Sequence, residues 1–139
     1  MKKTLNSILL LLALIICLSS CATPVDLGEL WEGATYTEDT EFGEGETTVT
    51  VEVKAGEYSV SFTINTDKTI LGEALIEHSL IEGEDGPYGL YVKKVNGILA
   101  DYDIDGSYWG FYKDGEYMMT GVERTEIADG EHYELVYTK

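Results

Sequence analysis

Residues 47–64 read TTVTVEVKAGEYSVSFTI. Valine, isoleucine and phenylalanine fall on every second position, and threonine, serine and glutamate fill the positions between them. Such alternation puts all apolar side chains on one face of an extended chain, because successive side chains of a strand point to opposite sides. Two runs, Thr47–Val53 and Glu57–Ile64, flank the short glycine turn Ala55-Gly56, which is the pattern of a β-hairpin with one buried face.

Working toward the C-terminus, Asn65, Thr66 and Asp67 offer capping side chains ahead of residues 69–81. There Ile70, Leu71, Ala74, Leu75 and Leu80 recur at helical spacing with Glu73 and Glu77 between them, which predicts one amphipathic helix of about three turns. Gly83 and Gly86-Pro87 are expected to end it. Strand patterns then return at Tyr88–Val95, Ile98–Tyr102, Tyr108–Lys113, Glu116–Met119 and His132–Thr138, punctuated by the turns Asn96-Gly97, Asp114-Gly115 and Asp129-Gly130. Hairpin, helix and further strands predict an α+β fold. The expected form is β-grasp-like, a single mixed sheet with one helix packed across it to bury its apolar stripe.

Toward the N-terminus the pattern changes twice. Residues 22–46 are acidic, rich in Thr and Gly and without a clear period, so residues 21–46 are expected to be a mostly disordered tether, with Leu30 and Trp31 touching the domain or lipid headgroups. Before them, Met1-Lys2-Lys3 is basic and Ile8–Leu18 is an apolar run too short to span a bilayer, which takes about 20 residues. Leu18-Ser19-Ser20-Cys21 follows and resembles a bacterial lipobox. Residues 1–20 are therefore expected to be a lipoprotein signal peptide, Cys21 the lipidated first residue, and residues 47–139 the domain. The expected location is the extracellular face of the bacterial cell membrane, with the membrane as a partner through the lipid anchor.

Loss of residues 1–20 also removes Cys17, leaving no pair of thiols for a disulfide. The whole chain carries 9 Lys and Arg against 26 Asp and Glu, a net charge of −17. That excludes nucleic acid, whose phosphates require positive charge, and suits a solvated exported domain. His78 and His132 read as solvated surface residues, and no Ser/His/Asp set or cysteine nucleophile is present, so no enzyme activity is expected. Asp101-Tyr102-Asp103-Ile104-Asp105-Gly106 opens like an EF-hand calcium loop, but Tyr112 stands where that loop needs a bidentate glutamate and no helix follows. Asp101, Asp103 and Asp105 are therefore weak metal candidates, with a polar turn as the alternative, and no calcium or covalent cofactor is expected.

The most distinctive segment is residues 107–122, SYWGFYKDGEYMMTGV. Alternation sends Tyr108, Gly110 and Tyr112 to one face of a strand and Trp109 and Phe111 to the other, so a sheet with one wet face exposes one aromatic set unless both are covered. Tyr108, Trp109, Phe111, Tyr112, Tyr117, Met118 and Met119 are the candidate ligand-binding residues.

From about Thr47 to Lys139 the chain resembles the transcobalamin-like C-terminal domain family, domain of unknown function 4430, which closes the vertebrate cobalamin carriers. The residues that carry the likeness are Tyr91-Val92-Lys93-Lys94-Val95-Asn96-Gly97, Tyr108-Trp109 with Phe111, Gly121-Val122, Asp129-Gly130-Glu131 and Thr69-Ile70-Leu71, in the same order and spacing. The resemblance implies a cobamide or other corrinoid lying against Trp109, Phe111, Met118 and Met119, with a transporter or second surface protein as a further partner. The carriers also have a helical barrel over the other corrin face, and no such barrel is expected in residues 1–139, so a second protein is expected to supply that cover. The same aromatic strand equally suits a protein–protein or cell-wall interaction module with no small-molecule ligand.

Overall fold

The computed structural model describes residues 28–139. The expected signal peptide, Cys21 and the first part of the expected tether lie outside the described residues. Among the described residues, no helix is long and apolar enough to cross a membrane.

The hairpin forms as its alternation dictates. Strands β2 (Thr47–Ala55) and β3 (Tyr58–Thr66) pair antiparallel, with Val49 opposite Ile64, Val51 opposite Phe62 and Val53 opposite Val60. All six of these side chains are buried. Burying each contributes about 1.5–3 kcal/mol relative to exposure. The turn sits at Gly56-Glu57, one residue later than expected, where Gly56 takes a left-handed φ of 64°. Strand β1 (Thr40–Phe42) runs parallel to β3 on one side. On the other, β9 (His132–Thr138) runs parallel to β2, followed by antiparallel β7 (Tyr108–Lys113) and β8 (Glu116–Tyr117). The order of this six-stranded sheet is β1-β3-β2-β9-β7-β8.

The architecture is α+β with two sheets, which corrects the expected single sheet. Strands β4 (Ile81–Gly86), β5 (Gly89–Val95) and β6 (Ile98–Leu99) form a separate three-stranded sheet. The reason is local. Helix α1 (Leu71–Glu77) covers seven residues, not the expected 69–81, because Ser79 turns left-handed at φ 56° and Leu80 N–H bonds back to the Leu75 carbonyl. The chain leaves directly into β4, which pairs with the strand that follows it. Gly83, expected to stop a helix, sits at the β4 bulge so close to Tyr91 that a Cβ would lie 2.2 Å from the Tyr91 carbonyl oxygen. The expected helix caps act elsewhere: Asp67 accepts from the Glu46 N–H and Thr66 from the Lys68 N–H. Helix α1 begins instead where the Leu71 N–H meets the Thr125 carbonyl.

Residues 28–46, expected within the tether, belong to the fold. A 3-10 turn at Glu29–Gly33 buries Trp31, whose Nε1 donates to the Ala55 carbonyl at 2.8 Å. The buried Asn96 side chain holds both Tyr36 backbone groups, accepting from its N–H and donating to its carbonyl. Tyr36, Phe42 and Phe62 pack edge-to-face with centroids 5.2–5.7 Å apart. Three aromatics and an asparagine bridge overcome the low average hydrophobicity of this stretch, since each aromatic buries about 150–250 Å².

Candidate functional site

Strand β7 emerges with the face assignment that alternation demands. Trp109 and Phe111 turn inward and are 8% and 9% exposed. Tyr108 and Tyr112 turn to the opposite face, where the Tyr112 ring lies over Gly110 so closely that a Cβ there would be 3.0 Å from the ring. Trp109 meets Tyr137 edge-to-face at 5.7 Å, and Phe111 stacks on Tyr133 at 5.8 Å. The strand is thus anchored in the core through its apolar set.

The two sheets do not close completely over that set. Between β7, the segment after β8 and strand β5 lies a groove of about 390 Å³. Trp109, Phe111 and Leu135 contribute its buried lining. Tyr88, Leu90 and Val92 stand on the side of the second sheet, and Tyr117, Met118 and Met119 on the other. Tyr88 and Met119 are 92% and 91% exposed. Of the seven residues expected at the site, Tyr108, Trp109, Phe111, Tyr117, Met118 and Met119 line this groove. Tyr112 does not; it packs edge-to-face on Tyr117 at 5.5 Å. The wall from Tyr88 to Val92 was missed by sequence reasoning, because only the separate second sheet brings that strand beside β7. A second trough of about 380 Å³, lined by Tyr91, Tyr102, Asp103 and Tyr108, adjoins the groove across Tyr91 and Tyr108.

Two polar groups near this groove make no hydrogen bond among the described residues. Trp109 Nε1 is buried with no acceptor. Both carboxylate oxygens of Glu123 are also buried without a hydrogen bond, packed against Gly89 and Gly121, with Arg124 Nε 3.9 Å from Oε1 as an ion-pair partner. Leaving such groups unpaired costs about 1–3 kcal/mol each or more. The groove's aromatic and methionine walls, with an indole donor at their base, suit an apolar molecule that carries a hydrogen-bond acceptor.

The expected weak metal candidates serve as turn residues. Asp101 caps α2 (Tyr102–Asp105) by accepting from the Asp103 N–H, and its other oxygen lies 3.5 Å from Lys93 Nζ. Asp105 accepts from the Ser107 hydroxyl and backbone N–H, which hold its carboxyl below the usual carboxylate range. Among the described residues, Glu52, His132 and Glu134 do converge, with ligand atoms within 4.8 Å of one another. His78, expected to be solvated, instead packs on Phe42 with its Nε2 buried.

The family model described as domain of unknown function (DUF4430) matches residues 67–139. Among solved structures, the chain is similar to a protein of Ruminococcus gnavus ATCC 29149 described provisionally as metal binding. The two are 35% identical over 68% of this chain and 98% of that one, with a TM-score of 0.64. It also shares its fold with haptocorrin in complex with Cbi, at 22% identity over 70% of this chain and a TM-score of 0.51. The aligned part spans 26% of haptocorrin. No curated protein sequence matches.

Proposed function

The chain belongs to the family of domain of unknown function 4430, and from that membership we propose that it is a corrinoid-binding module that takes a cobamide or a similar ligand in the Trp109 groove. The observation that carries this reading is the groove itself, a cleft walled by Tyr88, Tyr117, Met118 and Met119 and reaching down to Trp109 and Phe111. A corrin ring is a broad, largely apolar disc rimmed by neutral amides, so flat aromatic and polarizable methionine contacts suit it. The rim amides also match the unpaired Trp109 Nε1. The shared fold with haptocorrin, crystallised with Cbi, supports the same ligand class. Low net charge in the ligand makes the chain's acidity no obstacle.

In this reading the protein is no enzyme. A lipid on Cys21 holds it at the extracellular face of the membrane, where it captures the ligand for a transporter. The second reading, a docking surface for another protein, is favoured by the adjoining trough at Tyr91, Tyr102 and Tyr108, which extends the aromatic surface beyond one cleft.

Titration of the full chain with cyanocobalamin and with cobinamide, followed by the corrin absorbance, distinguishes the two. Saturable binding below about 100 μM is expected for the first, and its absence overturns it. Tyr117→Ala combined with Met119→Ala is expected to weaken binding by about 2 kcal/mol, as loss of interface anchors does. These exposed side chains test the groove without emptying the core.

A further inference from the structure

The face of the six-stranded sheet opposite the groove carries an independent constellation. Strands β2 and β9 run parallel, with Glu52 opposite Glu134 and Thr50 opposite His132. Glu52, His132 and Glu134 alternate with the buried Val51, Val53, Tyr133 and Leu135, so all three side chains rise from the outer face. His132 Nε2 lies 3.6 Å from Glu52 Oε2 and 3.9 Å from Glu134 Oε1. The two carboxylates are well shielded, with side chains 23% and 18% exposed. Lys54 Nζ reaches into the same cluster, 3.1 Å from Glu134 Oε2 and 3.8 Å from Glu52 Oε2.

We propose that Glu52, His132 and Glu134 form a binding site for a divalent transition-metal ion of the zinc class, with Lys54 as its built-in competitor. Three observations carry the assignment. The donor spacing is close to what a four-coordinate ion needs, since bonds of about 2.0–2.1 Å place neighbouring ligand atoms about 3.3 Å apart. The two His132–carboxylate distances exceed that by about 0.3 and 0.6 Å, and all three donors lie within 4.8 Å of one another, so side-chain rotation on fixed strands is what closes the set around an ion. The donor set is mixed. An imidazole nitrogen favours zinc, nickel or copper over calcium and magnesium, which prefer oxygen alone. This separates the cluster from the many carboxylates elsewhere on the surface.

The third observation is Lys54. Its ammonium already sits between the two carboxylates, so the cluster attracts a cation and binds one from within the chain. A dication coordinated by the imidazole and both carboxylates replaces a single charge on a flexible stem, and Lys54 swings out to solvent. The ligands stand on paired strands whose alternate side chains are locked in the core, which keeps the three donors in place. An open fourth position faces solvent.

The full chain, stripped with a chelator, is titrated with Zn²⁺ alone by calorimetry and with Co²⁺ alone by visible absorption. One equivalent is expected to bind, with a four-coordinate Co²⁺ spectrum. His132→Ala should weaken binding by about tenfold or more, as loss of a ligand does. Lys54→Met should strengthen it several-fold, a gain that a merely structural ion pair does not produce. Circular dichroism of both variants verifies that the sheet is retained. No saturable binding overturns the proposal. So does His132→Ala binding that matches the wild type, or competition by millimolar Ca²⁺ as effective as added Zn²⁺, since either assigns the ion to diffuse acidity. Corrinoid titration reads the other face, so each result stands apart from the other.

Discussion

The two faces of the six-stranded sheet are built from the same residues in alternation, and they differ in what covers them. On the inner face Val51, Val53, Phe62, Tyr133 and Leu135 are at most 1% exposed, closed over by helix α1, the second sheet and the Trp31 segment. At β7 that cover parts, leaving the groove beside Trp109. On the outer face no layer packs among the described residues, and Glu52, Lys54, His132 and Glu134 pair with one another. One strand, β9, serves both: Leu135 lines the groove while its neighbour Glu134 belongs to the ion cluster. Period-two geometry therefore lets a small domain present an apolar groove and a polar cluster back to back.

The comparison breaks most severely at the closed face. Trp31→Ala is expected to cost about 3–5 kcal/mol in denaturant unfolding, because it empties a core position and removes the hydrogen bond to the Ala55 carbonyl. A near-neutral result would return residues 28–46 to the role of a tether. Leu135→Ala should cost about 2–5 kcal/mol, whereas Glu134→Gln, one residue earlier on the open face, should cost about 0–1 kcal/mol. Equal losses would mean that both faces are packed.

Glu131, just before β9, sharpens the comparison through pH. Burial raises its pKa, but hydrogen bonds from Lys113 and Tyr133 outweigh that and leave it lowered. Because the folded pKa lies below the unfolded one, its contribution is present above the ordinary carboxylate range and is lost as pH falls through the folded value. The melting temperature of Glu131→Gln should lie below wild type at pH 7 and converge with it as pH falls through the lowered folded value. A constant gap would place the effect in packing. The smallest expected change is Met119→Ala, within about 0.5 kcal/mol of wild-type stability, since its side chain is 91% exposed. Any larger loss would show that the rim supports the fold.

Much of this was legible early. The hairpin, the strand Tyr108–Lys113, the final strand and the turns Asn96-Gly97 and Asp114-Gly115 follow from alternation and glycine placement, and they stand where those signals put them. The helix was overextended because Leu80 and Ile81 keep an apolar rhythm that fits either a last helical turn or a buried strand start. The Ser79 backbone chose the strand. Trp31, Tyr36 and Phe42 were diluted among acidic and glycine residues, so a window average hid three anchors that act singly. Tyr88 and Leu90 joined the site only because β5 pairs within its own sheet and is then laid beside β7.

The sequence by itself determined which side chains share a face, since that depends only on the period of an extended chain, and it determined the family and the acidic character of the surface. The tertiary structure alone decided which faces are covered, that the later strands split into a second sheet, and that Glu52 meets His132 and Glu134. The meeting of Glu52 with His132 and Glu134 depends on a pairing between residues about 80 positions apart, whose partners no local pattern encodes because each strand edge accepts several.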